Sequence, residues 1–411
     1  MKPVLLFYCQ HSLGIGHLMR SFAMARALGA DYRVVFLNGG PLPPGIEPPV
    51  GIELINLPAL GMGDAHTLVA RNSVEDAATL LRHRRDFILA CFARLRPAVL
   101  LVELFPFGRK KFAGEILPLL KRARANGASR PLVLSSVRDI LVSERRDQRH
   151  HDNRAAWLCR RYFDAVLVHS DPRFAELEES FRPDLPLGVP LHYTGFVTER
   201  AVPPATQPRG SQVLVSAGGG IVGMPLFEAA IAALPYLPPR LVRSLRIVAG
   251  PFLPESDWQR LQQRASQQER IELLRSVPDL SLEMARCALS VSQCGYNSTL
   301  DILMSGTPAL VVPYAAKGEN EQSNRALRLA NFGLVRMLPP EQLTAARLAE
   351  QMQVALGFRP QRMQLMVDGA QQTREIVNAE LARHCAAGER VAAADSRTED
   401  EARIWKVAHG A

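Results

Sequence analysis

The feature that most constrains this chain occurs twice. VLLFYC (4–9) is an unbroken apolar run, and it leads through HSLGIGHLMRSF (11–22) into a glycine turn and a helical pattern. SQVLVSAGGGIVG (211–223) repeats the design, with an apolar strand running into three consecutive glycines. A strand that is apolar on both faces needs cover on both, which is the situation of a central parallel strand with helices on each side. Two such openings predict two α/β domains. A chain of 411 residues is also too long for one compact core.

The segments between fit that layout. YRVVFLN (32–38), AVLLVEL (98–104), PLVLSSV (131–137) and FDAVLVHS (163–170) read as strands, and residues 17–28 and 112–127 as helices. VTERAVPPATQPRGS (197–211) has no periodicity and reads as a linker. Beyond it, SLRIVAGPF (244–252), part of RIELLRSV (270–277), CALSVSQCG (287–295) and PALVVPY (308–314) continue the strands, with helices over 297–306 and 319–333. The expectation is an N-terminal α/β domain over 1–198, a C-terminal α/β domain over 211–358, a helix over 359–385 and a tail over 386–411 without order. Both domains are expected to be Rossmann-like, doubly wound and facing a cleft. Ligands in such sheets sit at the carboxyl ends of the strands, so the cleft is the expected site.

Charge narrows the partners. The net charge is +9, and residues 71–161 alone carry 20 Lys+Arg against 9 Asp+Glu, including Arg82-His83-Arg84-Arg85, Arg109-Lys110-Lys111 and Arg145-Arg146. This is either a solvated helical surface or a face for an anionic acceptor or an acidic membrane. Aromatic residues make up 6% and do not interleave with the basic run, so nucleic acid is not expected. No apolar run approaches the roughly 18–20 residues of a membrane span. The leading apolar segment is too short for a signal peptide, so the expected location is the cytoplasm, on the inner face of the membrane if a membrane is touched. Six scattered cysteines without a CxxC read as reduced thiols, and neither a metal site nor a resident cofactor is expected.

Three segments carry chemistry. Ser216 and Gly218-Gly219-Gly220 follow a strand and precede a helix, where successive N–H groups can form a nest for phosphate. The turn Gly295 to Thr299 opens a helix capped by Asn297 or Ser298, with Asp301 in its first turn, where it stabilises the helix end or accepts hydrogen bonds from a diol. Glu321 and Gln322 form a solvated helix start or suit the hydroxyls of a sugar, and taken alone the segment favours the first. In the first loop, Met19 stands where the third glycine of a dinucleotide fingerprint belongs, and no acid ends the second strand, so NAD is disfavoured. His17 there sits at a helix start, where the dipole favours the neutral imidazole that can take a proton from an attacking hydroxyl. Arg20 lies one turn on.

The order and spacing of Gly218-Gly219-Gly220, Asp301, Gly306-Thr307-Pro308, Val312-Pro313 and Gln322 with Arg325-Ala326 resemble the C-terminal nucleotide-sugar domain of glycosyltransferase family 28, the family of the MurG-type lipid-linked N-acetylglucosaminyltransferases. That resemblance spans roughly 211–335 and implies a GT-B fold. It implies that the glycine loop and Gly295, Asn297, Ser298 and Thr299 hold the donor diphosphate. Asp301, where the family usually has Glu, would meet the ribose, and Glu321 and Gln322 the donor sugar. Gly14-x-Gly16-His17-x-x-Arg20 resembles the first loop of the same enzymes, and more closely that of the UDP-sugar hydrolase of pseudaminic acid synthesis. Pro106-Phe107-Gly108-Arg109 and Ser136-Val137-Arg138-Asp139 are similar to a group of bacterial predicted glycosyltransferases, which adds Glu103 and Arg109 as cleft residues. The implied function is transfer of a sugar from a nucleotide sugar, most simply a UDP-sugar, to an anionic or polyprenyl-phosphate-linked acceptor, with inversion. His17 and Glu103 would be catalytic, and Arg20, Arg109 and Arg138 would meet anions. With no Asp-x-Asp in the chain, the leaving diphosphate would be met by backbone N–H groups and arginine rather than by a metal. A nucleotide-sugar hydrolase or epimerase, and a non-catalytic nucleotide-sugar-binding protein, are the alternatives.

Overall fold

β1 (Val4–Cys9) is buried from Leu5 onward and is flanked in parallel by two strands, with Leu6 opposite both Val35 and Leu100. The structure is a computed structural model. It describes residues 2–388 except 12–15, 43–45, 63–67, 71–74, 126, 144, 199–208, 316–319 and 362. Gly14, most of the expected linker and most of the expected tail therefore lie outside the described residues.

The N-terminal sheet adds β2 (Arg33–Asn38) and β3 (Glu53–Asn56). After a small antiparallel pair, β4 (Leu60–Met62) and β5 (Leu68–Ala70), come β6 (Val99–Glu103), β7 (Leu132–Arg138), β8 (Ala165–His169) and β9 (Leu191–Tyr193). The order is β3-β2-β1-β6-β7-β8-β9, all parallel. Its helices are α1 (Gly16–Leu28), α2 (Ala77–Leu95), α3 (Ala113–Arg124), α4 (Gln148–Tyr162) and the short α5 (Leu177–Ser180). Leu5, Phe7 and Cys9 pack with Leu18, Phe22 and Met24 of α1, while Leu6 and Tyr8 pack on the opposite face with Ile88 and Phe92 of α2 and Ile116 of α3. The unbroken apolar run of β1 thus reflects burial on both sides.

The C-terminal sheet comprises β10 (Gln212–Ser216), β11 (Ser244–Val248), β12 (Ile271–Leu274), β13 (Leu289–Ser292), β14 (Ala309–Val311) and β15 (Arg336–Met337) in the order β12-β11-β10-β13-β14-β15, again parallel. Its helices are α6 (Met224–Ala233), α7 (Glu255–Ala265), α8 (Leu280–Arg286), α9 (Tyr296–Ser305), α10 (Glu321–Asn331) and α11 (Ala345–Leu356). In each sheet the strand order reverses beside the first strand, β1 or β10, and the crevice at that reversal is where such folds bind ligands.

The final helix differs from the expectation of 359–385. It spans residues 369–388, and residues 358–361 and 363–367 belong to no helix or strand. Pro360 disfavours helix at Arg359, and the segment has to cross back between the domains. On the way the Phe196 N–H donates to the Met366 carbonyl at 2.7 Å. The helix then docks on the N-terminal domain through buried Val377, Arg374 to Asp31 at 2.7 and 3.0 Å, and Asn378 to Asp31 at 2.6 Å.

The basic clusters are divided by the fold. Arg82 and His83 are exposed, but Arg84 is fully buried, held by Glu115 at 2.9 and 2.7 Å, Gln10 at 2.6 Å and the carbonyls of Gly39 and Pro58. A cluster that reads as surface charge therefore contributes one core ion pair.

Candidate active site

The reversal between β1 and β6 places the start of α1 against the end of β6. His17, the second residue of α1, donates from Nδ1 to Glu103 Oε1 at 2.8 Å, and Glu103 is the last residue of β6. With its proton on Nδ1, the neutral ring carries its lone pair on Nε2. The His17 side chain is 14% exposed and that of Glu103 fully buried. Arg20 donates to the same Glu103 oxygen, and its Nη2 lies 3.4 Å from His17 Nδ1. Burial pushes the His17 ring down to about 3, with Glu103 opposing the shift and Arg109 and Arg138 adding to it. Burial alone would raise the Glu103 carboxyl, but His17, Arg20 and Arg109 hold it down, at about 2. The pair is therefore a carboxylate holding a neutral imidazole at neutral pH.

Arg109 lies six residues beyond Glu103, half-buried and in the left-handed region at φ 58°. Arg138, the last residue of β7, forms an ion pair with Glu321 of α10.

The reversal between β10 and β13 builds the facing half. Ser216 ends β10 with a buried hydroxyl that has no partner among the described residues. In the loop that follows, Gly218 and Gly220 have φ of +56° and +93°, which L side chains rarely adopt, and a Cβ on Gly220 would run into the Ala249 carbonyl. Two of the loop's donors serve its own turns, Gly220 N–H to Ala217 and Gly223 N–H to Gly220, so only part of the expected nest is open. α9 starts at Tyr296 with Gly295 as its N-cap and no side-chain cap, not with Asn297 or Ser298 as cap. Asp301 is consequently in the second turn and is buried. The early start leaves the N–H groups of Tyr296, Asn297 and Ser298 at the helix mouth without a side-chain acceptor. Thr299 is buried, and its N–H bonds the Gly295 carbonyl at 2.9 Å.

The halves meet. A Cβ on Gly16 would lie 3.8 Å from Asn297 Nδ2, and one on Gly218 would lie 3.9 Å from Ser298 Oγ. The start of α1, the glycine loop and the mouth of α9 thus surround one place. Gln322 Oε1 accepts from the backbone N–H groups of Cys294 and Tyr314 at 3.0 and 3.1 Å, which leaves its Nε2 donor as the group able to serve a ligand. Glu321 is engaged at both oxygens, Oε1 by Arg325 at 2.7 Å and Oε2 by Arg138.

Several residues were not anticipated. Arg325 of α10, although part of the quoted motif, is fully buried and grips Asp139 of the other domain with two bonds, 2.7 and 2.8 Å, while its Nη1 donates to the Cys294 carbonyl at 2.9 Å. Tyr296 reaches across the junction to the His169 carbonyl and the Val197 N–H. Residue type marks none of these, because each is defined by a partner in the other domain. Among the described residues, no group of three or more His, Cys, Asp or Glu side chains is placed to hold a metal, and no helix is long and apolar enough to cross a membrane.

The buried histidines set an acid limit. Burial lowers His11 to about 4, His17 to about 3 and His169 well below the usual range. An unfolded chain takes up these protons near pH 6.5, whereas the native state does not. The unfolded state therefore binds more protons below that pH, and stability falls as pH falls from about 6.5 toward 4, by up to about 1.4 kcal/mol per histidine per pH unit. Urea midpoints that stay level across this window would contradict that protonation state.

Residues 245–378 match the glycosyltransferase family 28 C-terminal domain. The UDP-N-acetylglucosamine--N-acetylmuramyl-(pentapeptide) pyrophosphoryl-undecaprenol N-acetylglucosamine transferase of Chelativorans sp. (strain BNC1) is 26% identical over 152 residues, covering 37% of this chain and 40% of that protein. The corresponding protein of Erythrobacter litoralis (strain HTCC2594) is 28% identical over 159 residues, covering 38% and 39%. The chain thus matches about two fifths of the length of these curated relatives. Among solved structures, Acinetobacter baumannii MurG aligns at a TM-score of 0.53 with 18% identity over 92% of this chain and 99% of that one. A UDP-glucosyltransferase from Polygonum tinctorium aligns at 0.56 with 17% identity over 95% and 94%. These likenesses show the two-domain GT-B fold.

Proposed function

We propose that this chain, a GT-B protein with a family 28 C-terminal domain, is a glycosyltransferase that moves a sugar from a UDP-sugar to a hydroxyl of an anionic or lipid-linked acceptor. The observation that carries the reading is the His17–Glu103 pair at the start of α1, whose Gly16 lies against Asn297 at the uncapped mouth of α9, beside the Gly218–Gly220 loop. A helix N-terminus without a side-chain cap suits a diphosphate, and a neutral imidazole backed by a carboxylate suits a base.

In this reading the acceptor oxygen bonds to the anomeric carbon as the bond from that carbon to the diphosphate breaks, and the hydroxyl proton passes to His17 Nε2. Glu103 stabilises the imidazolium that forms. Negative charge developing on the leaving diphosphate is met by the N–H groups at the mouth of α9 and in the glycine loop, without a metal. Attack from the face opposite the leaving group inverts the anomeric centre. Asp301 would meet the ribose and Gln322 the sugar. Glu321 would do so only by giving up one of its arginines.

The acceptor class rests on the N-terminal domain. Trp157 is exposed on α4, with exposed Arg154, Arg160 and Arg161 three and four residues away along the helix, and α2 exposes Phe87 and Arg82; both helices cover the same face of the sheet. Aromatic side chains among cations suit an anionic interface, including a polyprenyl-phosphate-bearing membrane.

Thermal melting with a panel of nucleotides tests the donor. Saturating UDP or a UDP-sugar is expected to stabilise the protein, by about 2.7 kcal/mol at a hundredfold excess over Kd, and NAD is not. Stabilisation by NAD alone would overturn the assignment. Release of UDP and free sugar in the absence of any acceptor would identify a hydrolase instead.

A further inference from the structure

We propose that Tyr296 is a positioning residue that transmits the docking of the C-terminal domain to the base: its ring holds Arg20, and Arg20 holds the Glu103 oxygen that orients His17. The proposal rests on the reading of His17 as base, but its test is made on the imidazole itself and needs no turnover.

Tyr296 is the first residue of α9, immediately after Gly295, and so it stands at the helix mouth that faces the glycine loop. Its side chain leaves its own domain. The hydroxyl donates to the His169 carbonyl at 3.1 Å and accepts from the Val197 N–H at 3.0 Å, and the ring packs 5.7 Å from Phe196. The Arg20 guanidinium carbon lies 5.2 Å from the centre of the Tyr296 ring. A guanidinium against an aromatic face gains attraction that grows when water is excluded, and Arg20 is only 2% exposed. From that position Arg20 donates to Glu103 Oε1, the oxygen that also accepts from His17 Nδ1. One carboxylate oxygen therefore serves both partners, while Glu103 Oε2 is buried and has no hydrogen-bond partner among the described residues. Moving Arg20 must move the oxygen that selects the His17 tautomer. The connection is continuous, from the mouth of α9 through Tyr296, Arg20 and Glu103 to His17, and its first link crosses between the domains. A base assembled in this way is oriented only while the donor-side domain is docked, which would limit proton transfer to the closed molecule.

The test uses the full-length protein labelled with 15N, with imidazole nitrogens read at neutral pH and the His17 signals identified by their loss in His17→Gln. The charged groups around the ring are Arg20 from α1, and Glu103 from β6, Arg109 from the segment after β6 and Arg138 from β7, and all are retained in the variants compared. Wild type is expected to show a single neutral tautomer with the proton on Nδ1. Tyr296→Phe keeps the ring and removes both hydroxyl bonds, and it is expected to lower the melting temperature while preserving the His17 signals. Tyr296→Leu removes the ring, and it is expected to move those signals toward the averaged values of an unconstrained imidazole. Should the leucine variant fail to fold, Tyr296→Met, which refills the volume without an aromatic face, is read in the same way. Wild-type His17 signals in the folded leucine or methionine variant would overturn the proposal. Equal displacement in the phenylalanine and leucine variants would also overturn it, because the hydroxyl bonds rather than the ring would then be responsible. Full transfer activity in His17→Gln would remove the base reading and leave the tautomer result standing.

Discussion

His17→Ala is expected to reduce transfer by about two to four orders of magnitude, the usual contribution of a positioned acid–base group. UDP affinity is expected to stay within about twofold of wild type, the pattern of a group that acts in the transition state rather than in ground-state binding. The physical basis is the division of labour across the cleft. His17 belongs to the N-terminal domain and is held by Glu103, whereas the proposed diphosphate donors belong to the glycine loop and α9 of the other domain. Glu103→Gln preserves shape but replaces the carboxylate that accepts from Nδ1–H, and it should lose turnover to a comparable degree through the wrong tautomer and an unsupported imidazolium. Steady-state kinetics together with UDP titration decide the matter. Full activity in His17→Ala would sink the role, and a parallel loss of UDP affinity would move His17 into the donor site.

Arg325→Ala should be the most damaging single change for the architecture. Both Asp139 oxygens are engaged by Arg325, both side chains are fully buried, and the pair joins the two domains. Removing one member leaves a buried charge uncompensated, which typically costs about 3–5 kcal/mol, a large share of the roughly 5–15 kcal/mol that holds a domain folded. Because the pair lies at a domain junction, the molecule can relieve the cost by letting Asp139 reach water. The expected result is a lower urea midpoint and a single unfolding transition that separates into two. Replacing both partners by apolar residues, Arg325→Met with Asp139→Leu, should recover most of the stability because no charge is stranded. A single alanine variant that melts like wild type would show that the pair does not hold the domains together.

Much of the frame was legible. β1, β6, β7, β8, β10, β11, β13 and β14 coincide within a residue or three with apolar runs, because a strand buried on both faces shows its burial in every residue. β3 and β9 escaped notice because they are edge strands, only partly buried, and so lack that continuous signal. α2 and α4 read as basic surface because their buried positions are few and are separated by arginines. Glu103 could be nominated through the resemblance carried by Pro106-Phe107-Gly108-Arg109, and His17 because it follows a glycine turn. The bond between them joins residues 86 positions apart, and no local pattern records it.

The sequence by itself determined two strand–glycine–helix openings, hence two parallel sheets with the glycine loops at the carboxyl ends of their first strands. It also carried the motifs that resemble family 28, and residues 245–378 match that family's C-terminal domain. These follow from hydrophobic runs and turn residues, which act over a few neighbours. Only the tertiary structure decided which arginine of a basic cluster is core, that Arg84 pairs with Glu115, and that Glu321 is held by arginines from both domains. It alone decided that Tyr296 sits over Arg20 and that Arg325 closes on Asp139. Each of these is a charge or ring matched to a partner across the fold, at a distance in sequence where local propensity carries no information and burial selects the pairing.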